Sequence, residues 1–216
     1  MKKIFSFFVT CMLIVNSVIF VEAMDTVFNP KVSLIGSPNV GKTAICIRLY
    51  KDEYIGDCYQ STIGAAFAKV TLQDSDGSHK VIDLWDTAGQ ERYKSLVPIY
   101  VRDTDIAIIV FSLTDNDDDI LKQVMEAKAS IESHSINNNL KFIFVGNKSD
   151  LSNSPDYDSL KQRIAPNDPL VLTSALNGTG IDSLKRQVLL CLKDIESKAT
   201  STDVSLIIQK YKKKCC

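Results

Sequence analysis

Gly36, Ser37, Pro38, Asn39, Val40, Gly41, Lys42 and Thr43 place a lysine and a hydroxyl directly after a loop opened and closed by glycine. In a G-x-x-x-x-G-K-[ST] loop the backbone curls so that successive N–H groups face a chain of phosphates. Lys42 would neutralise the outer phosphates, and the Thr43 hydroxyl would ligate Mg2+. Pro38 has no N–H to offer, so Asn39, Val40, Gly41, Lys42 and Thr43 must supply the cradle, with Ala44 next to them as a further binding residue. Taken alone, the loop implies a phosphate and leaves open which molecule carries it.

Two further stretches narrow the chemistry. In "LWDTAGQERY", residues 84–93, an apolar strand ends in Asp86 and runs into Gly89 and Gln90. An acid at that strand end can hold Mg2+, a glycine N–H can touch a terminal phosphate, and Gln90 can orient water. In "GNKSDL", residues 146–151, the Asp150 carboxylate can accept two hydrogen bonds from the N1 and N2 edge of guanine, which adenine cannot donate. Asn147 and the Lys148 stem would hold that loop and the base. Together these residues select GTP over ATP.

The elements that position these residues are visible as alternating periodicities. Apolar, β-branched runs at 31–35, 65–72, 81–85, 105–112, 140–146 and 170–173 read as strands, and helical patterns occupy 42–50, 116–133, 156–164 and 181–198. "DSDGSHK" between the second and third strands is a hairpin signal. The remaining connections read as βα units, so an α/β architecture is expected: a six-stranded, mostly parallel sheet with helices on both faces. Ligands then belong at the carboxyl ends of the strands.

Composition bounds the rest. A chain of 216 residues, 45% hydrophobic and 24% charged, fits one globular domain with a substantial core. A net charge of −1 gives no reason to expect nucleic acid, while Lys210, Lys212, Lys213 and Lys214 crowd the C-terminus and point to an anionic surface. Cys11, Cys46, Cys58, Cys191, Cys215 and Cys216 form neither a C-x-x-C pair nor a dense disulfide framework, which suits a reducing compartment. Asp115, Asp117, Asp119 and Glu126 have calcium-loop spacing, but Ile120 stands where the sharp turn needs glycine; an acidic helix start explains them. His79 and His134 are isolated and read as surface residues.

With these motifs in this order, the chain resembles a small GTPase of the Ras superfamily, and within it a Rab. The resemblance covers roughly residues 30 to 196 and the last two cysteines, and implies the three-layer fold of P-loop NTPases, GTP/GDP as ligand and Mg2+ as cofactor. "STIGAAF" at 61–67 and "WDTAGQERYKSLVPIY" at 85–100 are most similar to the early-endosomal Rabs. By that resemblance Thr62 would be the switch threonine, reaching Mg2+ and the γ-phosphate, and Tyr54 would lie against the guanine. Phe67, Trp85 and Tyr100 would form the aromatic surface shown to effectors. The last base-binding loop would be Ser174, Ala175 and Leu176, with the Ala175 N–H on the guanine oxygen. Leu176 replaces the family's usual lysine, which implies modestly changed affinity, and Asp103 stands where relatives commonly have glycine. Lys42, Thr62 and Gln90 would be the catalytic set, with Gln90 positioning water for in-line attack. No arginine stands in place at the phosphates, so hydrolysis would be slow until an activating protein supplies one.

The two ends of the chain pull in different directions. "KYKKKCC" resembles a double geranylgeranylation signal on Cys215 and Cys216, and two lipid chains are what stable anchoring needs. The resemblance further implies an exchange factor, an activating protein, a GDP-dissociation inhibitor or prenylation escort, and effectors. It places the protein on the cytosolic face of endosomal or other endomembranes, cycling with cytosol. Lys2 and Lys3, however, precede an apolar run at 4–21 that reads as a signal peptide or marginal membrane span. Either would put the domain on the wrong side for GTP. The expectation is therefore a segment 1–23 outside the functional protein, which would start at Met24, a GTPase domain at 24–196 and a prenylated tail at 197–216. The expected function is a GTP-hydrolysing switch in vesicle traffic. The alternative is a GTP-binding scaffold that recruits effectors with little hydrolysis and is tethered by its N-terminus.

Overall fold

The computed structural model describes residues 29–54, 65–87, 97–151 and 157–212. Six strands form one sheet: β1 (Lys31–Ile35), β2 (Ala65–Gln73), β3 (His79–Thr87), β4 (Ile106–Ser112), β5 (Lys141–Asn147) and β6 (Leu170–Leu172). Their order is β2-β3-β1-β4-β5-β6, and every neighbouring pair is parallel except β2 with β3. That antiparallel pair is the expected hairpin, closed by Gly77 N–H to Asp74 O at 3.0 Å and Asp74 N–H to Ser78 O at 2.8 Å.

Period-two alternation divides the strand side chains between two cores. In β4, Ile106, Ile108 and Val110 enter one core, and Ala107, Ile109 and Phe111 enter the other. The whole strand is buried, as a central parallel strand covered on both faces must be. Helix α1 (Lys42–Lys51) and the first half of α5 (Ile181–Lys212) cover the first core through Ile45, Leu49, Leu184, Val188 and Leu192. Helices α3 (Asp117–His134) and α4 (Tyr157–Ile164) cover the other through Ile120, Val124, Ile131, Leu160 and Ile164. The three-layer α/β architecture is the one expected from the sequence.

Local differences have local causes. Helix α2 (Val97–Val101) is too short for a periodic signal and contains Pro98, so periodicity passes over it. Helix α5 runs to Lys212, well past the expected end near residue 198, because no glycine or proline interrupts the chain after Gly180. Asn116 caps α3 by accepting the Asp119 N–H at 2.9 Å, and Arg163 pairs with Asp117 and Asp118. The acidic run is thus a helix start, as read from the sequence, and His79 and His134 are exposed. Asp103, following α2, has φ of 59°, a left-handed backbone that glycine adopts at no steric cost and aspartate tolerates.

Among the described residues no helix is long and apolar enough to cross a membrane. The apolar run at 4–21, Thr62, Gly89, Gln90 and the Cys215–Cys216 pair lie outside the described residues.

Candidate functional site

Strands β1, β3, β5 and β6 run the same way, so the loops that follow them gather at one edge of the sheet, where open α/β sheets bind ligands. The first of these loops, between β1 and α1, is held by two close approaches. A Cβ on Gly36 would stand 2.1 Å from the Val110 carbonyl oxygen, and one on Gly41 would stand 2.2 Å from Asn147 Nδ2. Gly41 also has φ of 98° and no side chain with which to cap α1. The first turn of α1 carries no acid, so its amide groups and positive dipole end are left for an anion.

Lys42 is 6% exposed and folds back over its own loop, donating to the carbonyls of Gly36 at 2.9 Å and Ser37 at 2.8 Å. Burial pushes its ammonium down to about 8, against the opposing pull of Asp86. A buried cation held this way is a natural partner for an anion, which would restore its charge balance. The Thr43 hydroxyl donates to Asp86 Oδ2 at 2.7 Å, and Asp86 is 1% exposed at the end of β3. A hydroxyl and a carboxylate side by side form an oxygen-only donor set that fits a small hard dication drawing its other ligands from water and phosphate. Thr43 and Asp86 are therefore the described residues suited to Mg2+.

Two loops at the same edge are tied to this one by Asn147. Its Nδ2 donates to the Val40 carbonyl at 2.9 Å, while its Oδ1 accepts the Thr173 hydroxyl and the Ala175 N–H, each at 3.1 Å. Asn147 and Thr173 are fully or almost fully buried, so these bonds are shielded from water. The Ser174 hydroxyl donates to Asp150 Oδ1, orienting an exposed carboxylate. Lys148 has φ of 65°, the left-handed turn by which the chain leaves β5. The sequence-read set Asn147, Lys148, Asp150, Ser174, Ala175 and Leu176 is thus brought together beside Val40 and Gly41.

Sequence reasoning missed three contributors. Thr173 shares Asn147 with Ala175. Arg48, on α1, donates from Nε to the Ala175 carbonyl at 2.8 Å and from Nη2 to the Leu176 carbonyl at 2.6 Å. Lys31 sits 5.0 Å from the centre of the Trp85 ring, a cation–π contact, with burial holding its pKa below the ordinary lysine value. A basic residue in a helix's last turn is a sequence signal for carbonyl binding, and Arg48 does bond Asp52 O at 3.2 Å; nothing in the sequence points to residues 175 and 176.

The aromatic set is partly assembled. Phe67 and Trp85 face each other across β2 and β3, edge to face, with ring centres 5.4 Å apart, and Phe67 is 49% exposed. Tyr100 lies on α2, where its backbone carbonyl accepts the Ser33 hydroxyl at 3.3 Å, and Ser33 is the β1 residue in register with Trp85. Tyr54 is half-buried, its ring 5.9 Å from the Arg48 guanidinium carbon. Of the cysteines described, Cys46 is buried behind the phosphate loop, its thiol pushed up to about 12 by burial and by Asp86, so it is chemically quiet.

Comparison with known proteins agrees with this geometry. Residues 31–190 match the model of the Ras family. The chain is similar to GTP-binding protein ypt5 of Schizosaccharomyces pombe, 45% identical over 86 residues, which are 40% of each chain. It is 42% identical to Ras-related protein RABF2b and 41% identical to Ras-related protein RABF2a, both of Arabidopsis thaliana, over 125 residues. Those residues are 57% of this chain and 59% of each relative, so the match spans well under two thirds of the relatives' length.

Proposed function

We propose, starting from the fact that the chain belongs to the Ras family, that it is a Rab-type GTPase: a switch that binds GTP or GDP, hydrolyses GTP and thereby regulates vesicle traffic at endomembranes. The observation that carries the reading is the tie between the two halves of the site. Asn147 joins the phosphate loop to the two loops in which Asp150 and Ala175 present one acceptor and one donor. Guanine offers the matching donors and acceptor, and adenine does not.

Asn39 to Ala44 would hold the α and β phosphates through backbone N–H groups, and Lys42 would leave the Gly36 and Ser37 carbonyls to meet the outer phosphates. Thr43, Asp86 and Thr62 would hold Mg2+, which when bound offsets charge on the β and γ phosphates. Gly89 would contact the γ-phosphate, and Gln90 would orient the attacking water. Catalysis in this arrangement is positioning and charge stabilisation, without a strong base. Order in the segments bearing Thr62 and Gln90 would follow the γ-phosphate and be displayed to effectors beside Phe67, Trp85 and Tyr100. Geranylgeranyl groups on Cys215 and Cys216, with the nearby lysines, would attach the tail beyond residue 196 to an anionic leaflet of endosomal or related membranes. An exchange factor, an activating protein, a GDP-dissociation inhibitor or escort, and effectors complete the cycle.

Single-turnover hydrolysis of bound GTP tests the proposal. The protein alone should be slow, and an activating protein that inserts an arginine should raise the rate by roughly 10³ to 10⁵. Gln90→Leu should slow both. Failure to retain GTP, or rapid hydrolysis by the lone protein, would count against it.

A further inference from the structure

Arg48 sits between the two ends of the site and belongs to neither of the motifs that define them. Its guanidinium donates to three backbone carbonyls from three nitrogens: Nε to Ala175 at 2.8 Å, Nη2 to Leu176 at 2.6 Å and Nη1 to Asp52 at 3.2 Å. The carbon of the guanidinium is 3.7 Å from where a Cβ of Gly178 would lie, so the loop 174–178 packs directly on it. The Tyr54 ring is close by, 5.9 Å away. Arg48 is carried by α1, the helix whose start bears Lys42 and Thr43.

We infer that Arg48 is the positioning residue for the base end of the site, fixing the Ser174–Leu176 segment relative to the phosphate-binding helix; the inference rests on the guanine-nucleotide reading above. The two carbonyls that Arg48 holds belong to the residue whose N–H is tied to Asn147 and to the next residue along. Ser174, one position earlier, bonds the Asp150 carboxylate. Fixing residues 175 and 176 from beneath therefore sets both the Ala175 N–H and, through Ser174, the direction of Asp150. A planar fork makes two divergent bonds at once, which a lysine ammonium on a flexible stem does not reproduce. Leu176 supplies no polar side chain to the loop, so its position is set through its backbone.

Release of GDP and of IDP, whose base lacks the 2-amino group that Asp150 would accept, measures this directly. The full-length protein, Arg48→Lys and Arg48→Ala should be loaded with each nucleotide and their release rates compared at fixed Mg2+. Arg48→Ala should release GDP about 30-fold faster and IDP only about 5-fold faster, shrinking the preference for guanine; Arg48→Lys should fall between. Equal acceleration of GDP and IDP would mean that Arg48 only stabilises the fold and would overturn the assignment. Should Arg48→Ala not fold, Arg48→Lys decides by the same ratio. A wild-type protein with no preference for GDP over IDP would overturn the guanine reading and the Arg48 assignment with it.

Discussion

The phosphate end and the base end of the site are built by opposite means. At the phosphate end, Lys42 is satisfied by Gly36 and Ser37, carbonyls of its own loop, and Thr43 by Asp86 on the neighbouring strand. These are contacts a ligand would replace: an anion for the two carbonyls, a cation for the hydroxyl–carboxylate bond. At the base end, Asn147 bonds the Val40 carbonyl and the Thr173 hydroxyl, Arg48 bonds the Ala175 and Leu176 carbonyls, and Ser174 bonds one oxygen of Asp150, groups that a base would leave in place; the Ala175 N–H on Asn147 Oδ1 is the one contact a guanine oxygen would take over. One end is thus poised to exchange partners and the other is assembled in advance. A site that discriminates between bases gains from the second arrangement, because a donor or acceptor fixed beforehand rejects the wrong partner without reorganising.

Asn147→Ala should break this contrast, since Asn147 serves both ends. It removes three buried hydrogen bonds and leaves the Val40 carbonyl, the Thr173 hydroxyl and the Ala175 N–H to be satisfied otherwise. Roughly 3 kcal/mol of stability should go, with a melting point about 10 °C lower by calorimetry. GDP release should accelerate about 100-fold or more, as the loops around both phosphate and base loosen. An unchanged melting point would show that these bonds are reformed elsewhere and that the two ends are independent.

Thr43→Ala should sharpen the contrast from the phosphate side. Losing the hydroxyl beside Asp86 should make nucleotide retention about 10-fold weaker in Mg2+ and nearly unaltered in excess chelator, with preference for guanine over inosine kept. Titration of Mg2+ against labelled GDP measures this, and an equal loss with and without metal would contradict the assignment. Ser174→Ala is the complementary and smallest change. Freed from Ser174, the exposed Asp150 carboxylate should lose about 1 kcal/mol of guanine affinity, roughly 5-fold, while the Mg2+ dependence stays as it was. A shift in Mg2+ dependence would show that the ends communicate through Asp150.

Much of the phosphate end was legible in the residues because its information is short-range. A strand period, two glycines, a lysine and a hydroxyl lie within one turn of chain, and Gly36 and Gly41 are where backbone must come closest to Val110 and Asn147. Asp150 was legible because it stands in the short run Asn147, Lys148, Ser149, Asp150 directly after an apolar strand, where a carboxylate can meet the N1 and N2 edge of guanine. Asn147 was legible as a loop-holding residue, but its partners, and the roles of Thr173 and Arg48, were not, because those partners are far along the chain: Arg48 to Ala175 spans 127 positions and Asn147 to Val40 spans 107. Lys31 under the Trp85 ring is hidden for the same reason, since nothing local says that β1 and β3 are neighbours in register.

The sequence by itself determined the six strands, the four longer helices, their alternation, the phosphate loop, and the order of motifs that marks the family. Hydrophobic period and turn chemistry act over a few residues, and so can be read along a line. The tertiary structure alone decided which loops meet, by placing β1 between β3 and β4 and setting β6 beyond β5. That order brings the loop after β6 to the side of α1, where the Arg48 fork reaches two carbonyls that no local pattern assigns to it.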